Sequence, residues 1–175
     1  ISVKLGSLSI LFSMLVGLPM GTLMAKYKGR FFDHVGTVFI VLIEAVPAAV
    51  YYLVIQLYGT ELLHIPMLFK ANNPMSWVLP VFSMSLGNIA YYAMWLRRYM
   101  VDESNKDYVT LARIKGANEN RIMFRHIFRN AFVPMAQYLP TSFLNTVIGS
   151  IYIESLYSIP GMGGLLVDAI KKQDN

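Results

Sequence analysis

An all-α, polytopic membrane helix bundle is the fold that this sequence predicts, and three observations predict it. Of the 175 residues, 55% are hydrophobic and only 14% charged, against about 25% charged in soluble domains. The charges lie between long uncharged runs, and most of the basic ones gather in alternate connections between those runs. The chain has no cysteine, which excludes disulfide frameworks, thiolate metal sites and thiol nucleophiles.

Residues 5–25, 71–96 and 130–153 carry no Asp, Glu, Lys or Arg, and residues 34–60 carry only Glu44. A bilayer core needs about 20 helical residues to cross it. Runs this long favour helices over barrel strands of about 10 residues with alternating polarity. Spans are therefore expected near 5–24, 35–58, 76–96 and 131–153. The first run precedes its basic cluster and is interrupted by Gly17, Pro19 and Gly21, unlike a cleavable signal peptide. A chain that starts at Ile1, directly on a membrane segment, is read as a piece of a longer protein.

Of the 15 basic residues, 11 fall in the segments 25–34 and 97–129. Cytoplasmic connections carry the Lys/Arg excess, so these two are expected inside, and 59–75 and 156–175 outside. Topology thereby accounts for the net charge of +5 without nucleic acid. Ser9, Ser13, Gly17 and Gly21 recur every four residues, a stripe that lets another helix backbone approach closely.

Glu44, Asn88 and Asn145 fall near the middle of their expected spans. Polar groups at that depth need a partner or an aqueous cavity, which makes them candidates for lining a pathway. The inner segment 97–130 reads as a helix-turn-helix. Ser104 and Asp107 fit a capping box that starts a helix near 105. Tyr108, Leu111, Ala112 and Lys115 share a face, and Gly116 stands where a left-handed cap would end the helix. A second helix is expected from Asn118, with Glu119 in its first turn. At the outer end, Pro160 fixes one backbone angle while Gly161, Gly163 and Gly164 permit others, so the chain can turn there. No H-E-x-x-H or G-x-S-x-G motif points to a protease. An ion-driven secondary transporter or channel fits four spans with midplane polar groups, but does not need a structured inner loop.

The run from Asp107 to Ala117 (DYVTLARIKGA), followed by Phe124 to Ala131 (FRHIFRNA) and Pro134, resembles the coupling loop of inner-membrane permease subunits of ABC importers. The family pattern E-A-A-x-x-x-G is kept at Ala112 and Gly116, with Thr110 and Leu111 in place of E-A. The segment from Gly149 to Ile170, with Glu154, Pro160, Gly161 and Gly163, is similar to the oligopeptide/dipeptide branch. The resemblance implies a type I permease fold, with residues 1–175 forming one transmembrane domain of coupling loop 97–130 and outer turn 156–170. Asp107, Tyr108, Leu111, Ala112, Arg113, Lys115 and Gly116 would then couple to two cytoplasmic ATP-binding subunits, which bind ATP and Mg. The chain itself would bind no cofactor and have no catalytic residue. The other implied partners are a second similar permease, an external substrate-binding protein and a peptide, or another small nutrient such as a nickel chelate, in a bacterial cytoplasmic membrane.

Overall fold

The computed structural model describes residues 1–172, all of whose regular elements are helical. The long elements are α1 (Ser2–Lys26), α2 (Phe31–Ala45), α3 (Ala48–Leu63), α4 (Val78–Ser104) and α7 (Arg129–Leu156). Shorter ones are α5 (Asp107–Ile114), α6 (Glu119–Arg121) and α8 (Met162–Lys172), with a 3-10 turn, Pro74–Trp77, leading into α4.

α1 packs along α4 through the predicted small-residue stripe. Ser9, Ser13, Gly17 and Gly21 are all buried, Ser13 Oγ donates to the Ser85 carbonyl at 3.2 Å, and Ser85 Oγ donates to the Ser9 carbonyl at 3.1 Å. A Cβ on Gly21 would lie 2.6 Å from the Ala93 carbonyl oxygen, which is backbone and cannot swing away. Gly21→Val should therefore force α1 and α4 apart, at about 1–3 kcal/mol or more. A lowered thermal midpoint of the solubilised protein checks this.

α4 and α7 run antiparallel and are joined by side-chain bonds along their length. Ser83 Oγ pairs with Tyr157 Oη at 3.3 Å, Asn88 Nδ2 donates to Thr146 Oγ1 at 3.1 Å, and Tyr92 Oη pairs with Ser142 Oγ at 2.5 Å. Two apolar cores lie at opposite ends of this pair. One holds Leu96, Met100, Val109, Ile122 and Ile127; the other holds Leu5, Leu79, Ile153 and Ile159.

Several expected boundaries change. The span 35–58 is two helices bent by 104° at Val46–Pro47, because the residue before proline is pushed out of the helical region and Val46 sits at φ −94°, ψ 128°. The segment 97–104 is not loop but the last turns of α4. Ile122–Phe128 wind as a π-helix straight into α7, so the second arm of the expected hairpin and the fourth span form one continuous helix. Most of the segment 156–170 is α8, not turn. Among the described residues only α1 is long and apolar enough to cross a bilayer alone, with α2 and α3 qualifying as one broken span. α4 and α7, at 27 and 28 residues, reach about 40 Å, but their apolarity is diluted by the hydroxyl and amide groups that pair between them.

Candidate functional site

Three constellations follow from this frame, one at each end of the α4–α7 pair and one between. The first is built on α5. Val109 is fully buried and Ala112 half-buried against the core formed by Leu96, Met100 and Ile122. At 100° per residue, Asp107, Leu111 and Ile114 then point the other way, and Leu111 and Ile114 are 51% and 77% exposed. The expected contact set is thus divided: Leu111 is outward, Ala112 faces the chain's own core, and Ile114, which lies outside that set, shares the outward stripe.

The ends of α5 also differ from expectation in part. The capping box does not form: Ser104 closes α4 and its hydroxyl donates back to the Val101 carbonyl at 2.7 Å, while Lys106 precedes α5 with no side-chain cap. Asp107 still occupies the first turn, where a carboxylate suits the helix dipole. At the other end Gly116 has φ +76°. Its amide bonds to the Arg113 carbonyl at 2.9 Å and that of Ala117 to the Ala112 carbonyl at 3.1 Å, the two bonds of a Schellman motif. Lys115, the cap residue, is exposed. Asn118, where the sequence predicts the second helix to start, caps the next turn by accepting from the Asn120 amide at 2.9 Å.

Side chains lock this unit to the long helices. Tyr108 Oη donates to Glu103 Oε1 at 2.7 Å and accepts from Asn130 Nδ2 at 3.0 Å, so it bridges α4 and α7. Burial pushes the Tyr108 phenol up, and the Glu103 carboxylate adds to this. Arg113 Nε meets Glu119 Oε1 at 3.0 Å, and Lys26 Nζ donates to Asn120 Oδ1 at 3.1 Å from the end of α1.

On the same rim Arg97 Nε and a terminal nitrogen bind the two oxygens of Asp33, the latter at 2.7 Å, and the Gly29 amide donates to Asp33 at 2.8 Å. The Arg97 guanidinium, helped by the Gly29 amide, holds the Asp33 carboxyl below the ordinary carboxylate range. A carboxylate whose native value is depressed contributes its stabilisation above its unfolded value and loses it as pH falls through the native one. Asp33→Asn should therefore destabilise the protein at neutral pH, by about 1.5–3 kcal/mol for a charge-assisted bond. The deficit against the parent should vanish in melts recorded below the carboxylate range.

Between the ends lies a recess of about 170 Å³ lined by Tyr52, Met84, Gly87, Asn88, Asn145, Thr146 and Gly149. Asn88 and Asn145 are thus brought together. Glu44 is not with them: it is the penultimate residue of α2, exposed beside the break, and it does not line this recess. The mid-span position expected for it assumed an unbroken helix.

The third constellation surrounds Glu154, a carboxylate only 1% exposed. Ser150 Oγ donates to Oε1 at 2.9 Å and the Gly163 amide to Oε2 at 2.6 Å, so the carboxylate sits at the N-terminus of α8, where the helix dipole favours it. Gly161 and Gly163 have a different role from the one expected. The left-handed residue of this turn is Ser158, at φ +53°. A Cβ on either glycine would meet the Glu154 carboxylate at 2.5–2.9 Å. The sequence marks Glu154 as part of a motif and, by its position one residue past an uncharged run, as exceptional, but not as the centre of this turn.

Residues 17–175 match the family described as binding-protein-dependent transport system inner membrane component. The chain is 31% identical over 173 residues to the oligopeptide transport system permease protein AmiC of Streptococcus pneumoniae, covering 97% of this chain and 34% of that protein. It is 31% identical over 178 residues to the dipeptide transport system permease protein DppB of Bacillus subtilis, covering 99% and 56%. For the oligopeptide transport system permease protein OppB of Haemophilus influenzae the identity is 30% over 176 residues, covering 99% and 58%. The chain therefore spans between about a third and three-fifths of the length of these relatives.

Proposed function

Because the chain belongs to the family of binding-protein-dependent transport system inner membrane components, we propose that it forms part of the translocation pathway in an ATP-driven importer of oligopeptides. The observation that carries the coupling half of this reading is the outward stripe of α5. Leu111 and Ile114 are exposed there on a short helix bonded to both α4 and α7, so a protein gripping the stripe would move both long helices together. The gripping partners are two cytoplasmic ATP-binding subunits, which hold ATP and Mg, and this chain contributes no catalytic group. A second permease and an external substrate-binding protein complete the assembly.

The chain crosses a bacterial cytoplasmic membrane several times, with α5 and the connection before α2 inside and the turn between α7 and α8 outside. The Asn88–Asn145 recess is the pathway-lining element. The permease relatives favour this reading over an ion-driven carrier. In proteoliposomes holding the complete importer, uptake of alanine tripeptide should require ATP and persist when ion gradients are collapsed. Uptake that follows a gradient and ignores ATP would overturn the proposal.

A further inference from the structure

Lys4, Leu8, Leu11 and Leu15 follow one another on α1 at offsets of four, three and four residues, which sets them on one face of the helix. The three leucines form one side of a groove of about 450 Å³ between α1 and α4. A second groove, of about 400 Å³, lies between α3 and α4, with Tyr58 and Leu62 on its far side. Val78 and Phe82 of α4 line both grooves, so they make a ridge with an apolar trough on either side. Among the described residues no charged side chain lines either trough, and Leu15 and Leu62 are 74% and 80% exposed.

Both troughs lie toward the turn between α7 and α8. The Met162 amide donates to Ser2 Oγ at 3.0 Å, and the Phe69 amide donates to the Tyr157 carbonyl at 2.9 Å, which ties the start of α1 and the approach to α4 to that turn. At this end Lys4 Nζ lies over the Trp77 ring, 5.2 Å from its centroid, and Trp77 also lines the first trough. An exposed cation therefore stands at the mouth of an apolar groove. From Lys4 to Leu15 the helix rises about 16 Å, half of a bilayer core about 30 Å thick, which is the depth of one leaflet.

We propose that the Val78–Phe82 ridge holds one anionic diacyl phospholipid of the outer leaflet, with an acyl chain in each trough and its phosphate at Lys4. The choice of leaflet rests on the membrane topology proposed for the chain. Two troughs that share one wall match a ligand with two apolar tails joined at a single head. A neighbouring apolar helix would fill a trough but offers nothing to the ammonium, whereas a phosphodiester answers both the cation and the apolar walls. Trp77 stands where an indole suits the membrane interface, and the acidic Glu61 of α3 lines neither trough.

The test places p-benzoylphenylalanine at Leu11 in the first trough or at Leu62 in the second. The complete importer carries it in vesicles of equal phosphatidylglycerol and phosphatidylcholine with matched acyl chains, and adducts formed on irradiation are identified by mass. At both positions phosphatidylglycerol should exceed phosphatidylcholine about fivefold, the worth of one lysine near an anionic headgroup, and Lys4→Gln should bring the two to parity. In a chain carrying the photolabel at both positions, digestion should leave fragments of α1 and α3 joined through a single phosphatidylglycerol. Equal adducts of the two lipids in the parent, a preference that survives Lys4→Gln, or attachment to a polypeptide at either position would overturn the site. Lipid adducts at both positions that never join the two fragments would overturn the shared lipid. A full yield from vesicles whose phosphatidylglycerol is confined to the leaflet of the ATP-binding subunits would overturn the proposed topology and with it the choice of leaflet. Uptake of alanine tripeptide in the same vesicles reads the importer separately: loss of the lipid preference with ATP-driven uptake intact overturns the lipid site alone.

Discussion

Leu111→Asp should leave the permease folded and assembled with its membrane partner but abolish ATP-driven uptake, with at least a hundredfold loss of affinity for the ATP-binding subunits. Leu111 is half exposed and contributes nothing to the core that holds Val109 and Ile122, so the chain itself tolerates the change. In a docked, desolvated contact an unpaired carboxylate costs several kcal/mol, and each 1.4 kcal/mol is a factor of ten in affinity. Val109→Asp supplies the contrast: it buries the charge inside the chain and should prevent folding of the inner unit altogether. Gly116→Val should act more weakly. Nothing lies within 4 Å of a Cβ built there, so its cost is only that of holding a branched residue at positive φ, about 1–2 kcal/mol. Its signature is a frayed end of α5 and partial uncoupling, read as ATP hydrolysed per peptide imported.

Glu154→Leu should open the turn between α7 and α8. The substitution keeps much of the volume but strips the Gly163 amide of its acceptor, leaving a buried donor unpaired at about 1–3 kcal/mol. Ser150 loses less, because its hydroxyl also reaches the Val147 carbonyl at 2.7 Å. Glu154→Gln retains an acceptor oxygen and should cost about 1 kcal/mol or less. Gly163→Ala should match the leucine variant with the carboxylate still present, since its Cβ would sit 2.8 Å from the Ile151 Cα, a backbone atom that cannot yield, and 2.9 Å from Glu154 Oε2. Protease cleavage within 157–161, faster in Glu154→Leu and Gly163→Ala than in Glu154→Gln, checks the order.

Particular residues show what could be read in advance. The stripe from Ser9 to Gly21 was legible because a four-residue period of small side chains has one physical use, close approach of another helix. Gly116 was legible because a glycine after an amphipathic turn is the usual place for a left-handed cap. Prolines were not legible in the same way. Pro19, Pro134 and Pro140 lie inside unbroken helices, whereas Pro47 marks a bend of 104°. Neighbouring helices can compensate a missing backbone bond, and sequence does not say where they will.

The start of α5 was misread because Ser104 had two acceptable partners and took the one behind it, the Val101 carbonyl. The division of α5 into a buried Val109 side and an exposed Leu111–Ile114 side depends on how the helix rolls against Met100 and Ile122, a tertiary outcome. The π-helical Ile122–Phe128 leaves no local mark in composition. Glu44 stands out through its isolation in an apolar run, yet it is exposed, whereas Glu154 is buried on a backbone amide and a serine that no charge pattern reveals.

In the proposed importer, ATP moves α4 and α7 through the grip of an ATP-binding subunit on the outward stripe of α5. The chain contains no cysteine of its own, so a nitroxide attached to Ile114→Cys can report on that stripe alone within it. The spectrum should be mobile in the permease without its ATP-binding subunits and immobilised when they are added. The same mobile spectrum in both states, in a complex that still imports peptide, would show that nothing grips this stripe.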